Sequence, residues 1–310
     1  MKKAFAIFAA GMIPAMMFAT DFTLQTHRAW KKTANDAAAI NYGGEKAWPT
    51  IRLKTAEPLK PNTFYRVTFE AKSTAPGKCF CGFSIVLQGK ELRSYQIFYP
   101  TVDFQKYVFY LYSGENTEKS VPNIYFNPTA PFQMEVKDLK LDEMSDDSLY
   151  GKNLLLNGNF EEGNSFQPYR KEMKEYAKIV DSANFLSGEK SLLIDSQGKR
   201  IGVISDPLPV LPGKTIEVKF YAKSEDAAQV HVLLDFGGGF GGRHYYIPVK
   251  FRVEKEWKEF SHKFKISEDF KTYPVLCKSL TQLRFGGESL PAGGNAKIYL
   301  DGISYTMIKE

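Results

Sequence analysis

The sequence predicts an all-β chain folded as two tandem antiparallel β-sandwiches. Three observations carry this. A block of sequence recurs about 150 residues downstream, apolar and polar residues alternate with a period of two, and clusters of Gly, Pro and Asn separate the alternating runs. Tyr65 to Ala71 places Tyr65, Val67, Phe69 and Ala71 on one face and Arg66, Thr68 and Glu70 on the other. Ile216 to Ala222 repeats the pattern, and Val230 to Asp235, Phe260 to Ile266, Leu283 to Phe285 and Ile298 to Tyr305 also read as strands. Turns fall at Pro61-Asn62, Pro212-Gly213 and Gly237-Gly238-Gly239. Thr33 to Ile40 and Tyr169 to Ala177 are the two stretches with helical character.

The repeat sets the organisation. Pro61 to Ser73 aligns with Pro212 to Ser224 at an offset of 151 residues. Phe104 to Tyr107 aligns with Trp257 to Phe260 at 153, Asn123 to Phe126 with Gln282 to Phe285 at 159, and Val136 to Leu141 with Leu300 to Tyr305 at 164. The order is conserved and the offset only grows, as loop insertions into a second copy would make it. The period is too long for a solenoid and implies a duplicated domain. Asp142 to Gly151 is polar, acidic and without periodicity. The expected division is therefore 21–143 for the first sandwich, 144–152 for a linker, and 153–310 for the second.

Lys2-Lys3, followed by an apolar, small-residue run from Ala4 to Ala19, has the plan of a secretory signal peptide spanning 1–20. The run is short for a transmembrane helix, and no later segment is apolar enough to span a bilayer. The expected location is secreted, periplasmic or on a bacterial cell surface. The formal charge is +6, and removal of Lys2 and Lys3 brings it to about +4. Basic and acidic residues are interspersed, which excludes a nucleic-acid footprint. Cys79, Cys81 and Cys277 are an odd set with poor zinc spacing and are expected as unpaired core residues. The four histidines His27, His231, His244 and His262 fall in no nucleophile or metal motif, and no glycosidase-type carboxylate pair is evident. The chain is not expected to be an enzyme.

The second copy opens Asn153-Leu154-Leu155-Leu156-Asn157-Gly158-Asn159-Phe160-Glu161 and continues with Ser187-Gly188-Glu189-Lys190-Ser191-Leu192, Pro212-Gly213-Lys214 and Phe220-Tyr221-Ala222-Lys223-Ser224. It closes with Trp257-Lys258-Glu259-Phe260, Leu283-Arg284-Phe285 and Tyr299-Leu300-Asp301-Gly302-Ile303-Ser304. This ordered set resembles the cellulose- and xylan-binding carbohydrate-binding modules with a galactose-binding-like jelly-roll fold. The first copy shares the pattern only from Pro58 to Leu141, lacks the Asn-Gly-Asn-Phe-Glu opening, and has Phe104 where the pattern has Trp.

The resemblance implies non-catalytic binding of a polysaccharide or glycan across one sheet, with aromatic rings stacking on sugar faces. The alternative is a structural or protein-interaction scaffold. Alternation then selects the residues facing away from the core: His231, Asp235, Tyr246, Gln282 and Arg284, with Arg243 and His244 beside the Gly-rich loop. In the first copy Gln88 and Tyr125 hold comparable positions, Tyr125 standing where Arg284 stands in the second. The resemblance also implies a structural Ca2+ in the second copy only. Glu161 and Asp301 would be its side-chain ligands, and carbonyls around Asn159 and Lys190 would complete an oxygen shell.

Overall fold

A computed structural model describes residues 17–27, 30–42, 50–74, 79–87, 90–98, 100–113, 124–128, 132–161, 166–168, 173–181, 184–236, 246–268, 280–290 and 293–309. In the first half the strands are β1 (Met17–Ala19), β2 (Phe22–His27), β3 (Trp30–Ala34), β4 (Ala37–Tyr42), β5 (Thr50–Thr55) and β6 (Phe64–Ser73). They continue as β7 (Cys79–Leu87), β8 (Lys90–Phe98), β9 (Gln105–Tyr112), β10 (Ile124–Pro128) and β11 (Phe132–Met144). One helical turn, α1 (Asp146–Leu149), follows. The second half has β12 (Phe166–Pro168), β13 (Ala177–Asp181), β14 (Lys190–Asp195), β15 (Ile201–Pro209) and β16 (Thr215–Ser224). It ends with β17 (Ala228–Asp235), β18 (Tyr246–Val253), β19 (Lys258–Lys265), β20 (Leu280–Ser289) and β21 (Lys297–Ile308).

These strands form four sheets, and every named pairing is antiparallel. The first half gives β3-β4-β11-β6-β9, with β1 added on β11, and β2-β5-β10-β7-β8. The second gives β13-β14-β21-β16-β19 and β12-β15-β20-β17-β18. From β2 on, each strand of the first half has a counterpart ten strands later in the same place. The repeat seen in sequence is thus a repeat of topology.

It extends to a backbone detail. β11 and β21 both shift register against their central neighbours, β11 between Lys137 and Lys140 and β21 opposite Lys219 and Tyr221. At each shift one residue is left-handed: Asp138 with φ 52° and Gly302 with φ 58°. These two residues are partners at the offset of 164. Gly302 tolerates the conformation without a Cβ penalty, and Asp is among the few other residues that do.

Core and surface separate by alternation. Val230, Val232 and Leu234 on β17 and Leu283 and Phe285 on β20 are fully buried against Val218, Phe220 and Ala222 of β16. Phe220 anchors this core, with ring centroids 5.1 Å from Phe285, 5.3 Å from Phe260 and 5.4 Å from Phe251. Such pairs add about 0.5–1.5 kcal/mol each beyond burial of area.

Two expectations change. Thr33 to Ile40 is no helix: Ala34 and Ala37 flank an Asn35-Asp36 turn that joins β3 to β4. Asn and Asp favour a tight turn, and Ala38 and Ile40 gain more by entering the core than an isolated helix would. Among the described part of Tyr169 to Ala177, residues 173–176 form a turn and Ala177 opens β13.

The segment expected as a linker carries α1, whose Leu149 is buried in the second core. The halves are also fused directly. β9 reads Tyr-Val-Phe-Tyr-Leu-Tyr from Tyr107 to Tyr112 and is apolar on both faces. Tyr107, Phe109 and Leu111 pack in the first core, whereas Val108, Tyr110 and Tyr112 join the second. Phe64 and Met144 belong to the second cluster too. β9 lies against β15 and β20, and Tyr110 donates its hydroxyl to the Leu154 carbonyl at 2.9 Å in a buried setting. Burial pushes the Tyr110 phenol up to about 12, so it stays a donor throughout the stable pH range. Replacing Tyr110 by Phe should lower unfolding stability by about 1 kcal/mol. Urea denaturation should still show one transition, because the apolar seam survives.

Candidate functional site

The outer face of the β12-β15-β20-β17-β18 sheet carries the polar residues of β17, β18 and β20. Its register is explicit. Across β20, β17 and β18, Gln282 faces Asp235 and Asp235 faces Tyr246. In the next rows Arg284 faces Leu233 and Leu233 faces Pro248, then Gly286 faces His231 and His231 faces Lys250. Glu288, Gln229 and Arg252 make the last row. Ile247, Val249 and Phe251 of β18 pack inward, which sets Pro248 and Lys250 outward, both exposed.

Two of these rows are tied internally. The Asp235 carboxylate is fully buried and receives Arg284 Nη1 on Oδ2 at 3.2 Å. Its backbone carbonyl accepts Thr281 Oγ1 at 3.0 Å. Gln282 Nε2 donates to the Ser205 carbonyl at 2.8 Å. At the other end His231, 4% exposed at its side chain, stands 2.6 Å through Nε2 from Glu288 Oε1. Gln229 Nε2 donates to the same carboxylate oxygen at 3.1 Å. Gln229 Nε2 also lies 2.9 Å from His231 Nε2, so which nitrogen of the imidazole donates in this cluster depends on its tautomer. The His231 pKa is lowered, first by burial and then by the Arg200 and Lys250 charges, against the raising effect of the Glu288 hydrogen bond.

Several residues here escaped the sequence reading. Glu288 and Gln229 are outward on strands that run further than Leu283–Phe285 and Val230–Asp235. Arg200 comes from the turn before β15. A Cβ on Gly286 would lie 3.3 Å from Arg200 Nε, so the guanidinium occupies the space that Gly286 leaves over the sheet. Gly287 points the other way, towards Ile194 and Ile298 of the core. Asp206 sits where β15 shifts register between Ile204 and Pro207. It keeps some solvent contact, yet its surroundings are dense enough that burial pushes its carboxyl up to about 8.

The other expected site residues divide. His231, Asp235, Gln282 and Arg284 come together on this face. Tyr246 is placed there by its backbone pairing with Asp235. Arg243, His244 and Gln88 lie outside the described residues, as does Cys277. Tyr125 is described in backbone only, opposite Gly82 of β7 and Arg52 of β5. Cys79 and Cys81 are likewise placed only as β7 backbone.

Glu161 and Asp301, the expected calcium ligands, act as clasps on residues 186–190. Glu161 Oε1 accepts the amides of Glu189 and Lys190, both at 2.9 Å. Gly188 permits this approach, since a Cβ there would clash with the carboxylate. Asp301 Oδ2 accepts the amides of Leu186 at 2.9 Å and Ser187 at 3.2 Å, and Oδ1 accepts Gly302 N at 2.6 Å. Lys190 Nζ donates to the Glu161 carbonyl oxygen at 3.2 Å. Three of the four carboxylate oxygens are thus occupied by amides, and an ammonium sits on a carbonyl that a hard cation would use. This donor set does not fit an oxygen-coordinated Ca2+.

Residues 152–276 match the model of a family described as "Carbohydrate binding domain". Among solved structures, the N-terminal CBM22-1-CBM22-2 tandem domain from Paenibacillus barcinonensis Xyn10C is similar at 14% identity, covering 97% of this chain and 100% of that one, with a TM-score of 0.37. "Family 16 Carbohydrate Binding Module-2" is 19% identical over 50% of this chain and 99% of its own, with a TM-score of 0.36. TmCBM61 in complex with beta-1,4-galactotriose is 16% identical over 52% of this chain and 100% of its own, with a TM-score of 0.34. No curated protein sequence matches the chain. The family match takes in β12 to β19 of the second half and ends before β20 and β21.

Asp206 supplies a test of the face. Its folded pKa lies above the ordinary carboxyl value of about 4. It therefore favours folding fully below that value, and the contribution is lost as pH rises towards about 8. Asp206→Asn should remove this loss. Its melting temperature should exceed that of the parent at pH 9 and converge with it at pH 4, as read by differential scanning calorimetry.

Proposed function

We propose that the protein binds a polysaccharide or glycan without chemical change, through the outer face of β20, β17 and β18. The observation that carries this reading is the carbohydrate-binding family match over 152–276, the stretch that supplies β15, β17 and β18 of that sheet. The face suits recognition better than catalysis. Cleavage of a glycosidic bond requires two carboxyl groups free to face the sugar. Here Asp235 is committed to Arg284 and Glu288 to His231 and Gln229. What the face offers a ligand is the exposed Arg200 and Lys250 beside the surface of Leu233 and Pro248.

The competing reading, a scaffold without a sugar site, draws on the burial of Asp235 and His231, which fills part of the face. Affinity electrophoresis of the full chain in gels containing xylan, mixed-linked glucan, galactan or polyuronate separates the two. Retardation that weakens at least about fivefold in Tyr246→Ala, roughly 1 kcal/mol, supports binding at this face. Unretarded migration in every polysaccharide favours the scaffold. Arg284→Ala is a poor probe, because it strands a buried carboxylate and should destabilise the fold by about 3 kcal/mol or more.

Export belongs to the same proposal, resting on Lys2-Lys3 and the apolar run after them; the expected boundary at residue 20 cuts through folded structure, because Met17–Ala19 pairs with β11 as strand β1. No helix among the described residues is long and apolar enough to cross a membrane.

For calcium we propose a clasp that needs no metal, held by the amide bonds to Glu161 and Asp301 and by Lys190. The melting temperature should then agree within about 1 °C between excess EGTA and millimolar CaCl2, whereas a structural ion present at 100 times its Kd would add about 2.7 kcal/mol. A calcium-dependent rise of several degrees would overturn the clasp.

A further inference from the structure

We infer that the glycan recognised at this face is acidic, with its carboxylate received by Arg200 and Lys250 across the His231–Gly286 row. The inference rests on the glycan-binding reading and narrows it to a ligand class. Register places the groups: Gly286 of β20, His231 of β17 and Lys250 of β18 are consecutive across the sheet. Arg200 lies over Gly286, where the missing side chain leaves room. Both cations are solvent-exposed, and neither has a carboxylate at ion-pair distance among the described residues. Both act on one buried imidazole, each lowering the His231 pKa.

Arg284, Arg252 and Glu288 on this face have contacts of their own. Asp235 holds Arg284 at 3.2 Å, and Arg252 Nε lies 3.7 Å from Glu254. Glu288 lies 2.6 Å from His231 Nε2 and 3.1 Å from Gln229 Nε2. Burial pushes the Asp206 carboxyl up to about 8, which favours its protonated form at neutral pH. The row then holds two exposed cations against the single carboxylate of Glu288, which is turned towards neutral His231 and Gln229, so one positive charge is left over for a ligand carboxylate. A neutral sugar would leave that charge unanswered. A uronic acid residue carries its carboxylate on the rim of the pyranose ring, so the ring can lie along Leu233 and Pro248 while the charge reaches the Arg200–Lys250 gap. Guanidinium–carboxylate pairing also supplies directional, bidentate hydrogen bonds.

Isothermal titration of the full chain tests this in about 150 mM salt, where long-range attraction to a basic protein is screened beyond about 8 Å. The probes are polygalacturonate and alginate oligosaccharides, their carboxyl-reduced counterparts, and polyacrylate as a charged polymer without sugar. The expected result is saturable binding of at least one polyuronate, weakened at least about tenfold on carboxyl reduction and about tenfold or more by Arg200→Glu, equivalent to roughly 1.4 kcal/mol. Lys250→Ala should weaken it by roughly threefold, in the range of a partly exposed ion pair. Lys265→Glu makes the same charge change as Arg200→Glu on β19 of the opposite sheet and should alter affinity less than about twofold.

Equal affinity for native and carboxyl-reduced chains, or binding of neutral xylan and glucan alone, overturns the acidic ligand and leaves glycan binding intact. Equal losses in Arg200→Glu and Lys265→Glu, or equal binding of polyacrylate, overturn the site and reduce the effect to overall charge. Absence of binding to any polysaccharide overturns this inference and the proposed function together. Melting temperatures of the variants show that each remains folded, as expected for exposed side chains.

Discussion

Polar groups withdrawn from water must be partnered, and that requirement shapes the outer face of β17 and β20. These strands put Val230, Val232 and Leu234 into the core and are obliged by their pleat to turn His231 and Asp235 the other way. Both side chains are nevertheless buried, so each has acquired a fixed companion: Glu288 for the imidazole and Arg284 for the carboxylate. The result is a rigid polar floor whose hydrogen-bonding directions are set before any ligand arrives. Arg200, Lys250 and Pro248 stand at its margins with their ends in solvent. Preorganisation of this kind limits the side-chain entropy lost on binding.

The two copies share a topology but have divided their roles. At the register shift of the last strand the first copy has Lys137 before left-handed Asp138, and the second has Asp301 before left-handed Gly302. Lys137 bonds Glu70 at 3.1 Å and lies 4.3 Å from the Phe104 ring centroid, at the surface. Asp301 is buried and fastens residues 186 and 187. The difference follows from the neighbouring connection. A two-residue Asn35-Asp36 turn joins β3 to β4, whereas residues 182–189 join β13 to β14 and need anchoring. β9 and β19 diverge in the same way. β19 alternates, with buried Phe260 and Phe264 between exposed lysines, while β9 is apolar without a break from Tyr107 to Tyr112.

Much of the architecture was legible because sheets write a period of two into sequence. The strands around Tyr65, Ile216, Val230 and Ile298 came through alternation, and the repeat placed the first copy although its opening motif is missing. Thr33 to Ile40 misled because alanines favour helix locally, while the Asn-Asp pair and the pull of the core act over a longer range. β9 carried a signal that alternation does not capture: six consecutive apolar residues mark a strand covered on both faces. Alternation turned His231, Asp235, Gln282 and Arg284 away from Val230, Val232, Leu283 and Phe285, as the register has them. Their burial was not legible, because it comes from neighbours distant in sequence. Glu288 was missed because Gly286-Gly287 reads as a break, although Gly287 makes room for Ile194 and Ile298 and the strand continues. Arg200 belongs to no strand, and nothing in a linear reading sets a turn residue above a glycine 86 positions away.

A pair of modules on a flexible tether samples many spacings and loses entropy whenever both engage one polymer. β9 removes that freedom here, since a single strand is shared masonry between two cores. Any long chain that touches both halves meets them at one separation and one angle. If the proposed ligand spans both halves, that fixed interval acts as a ruler on its repeat.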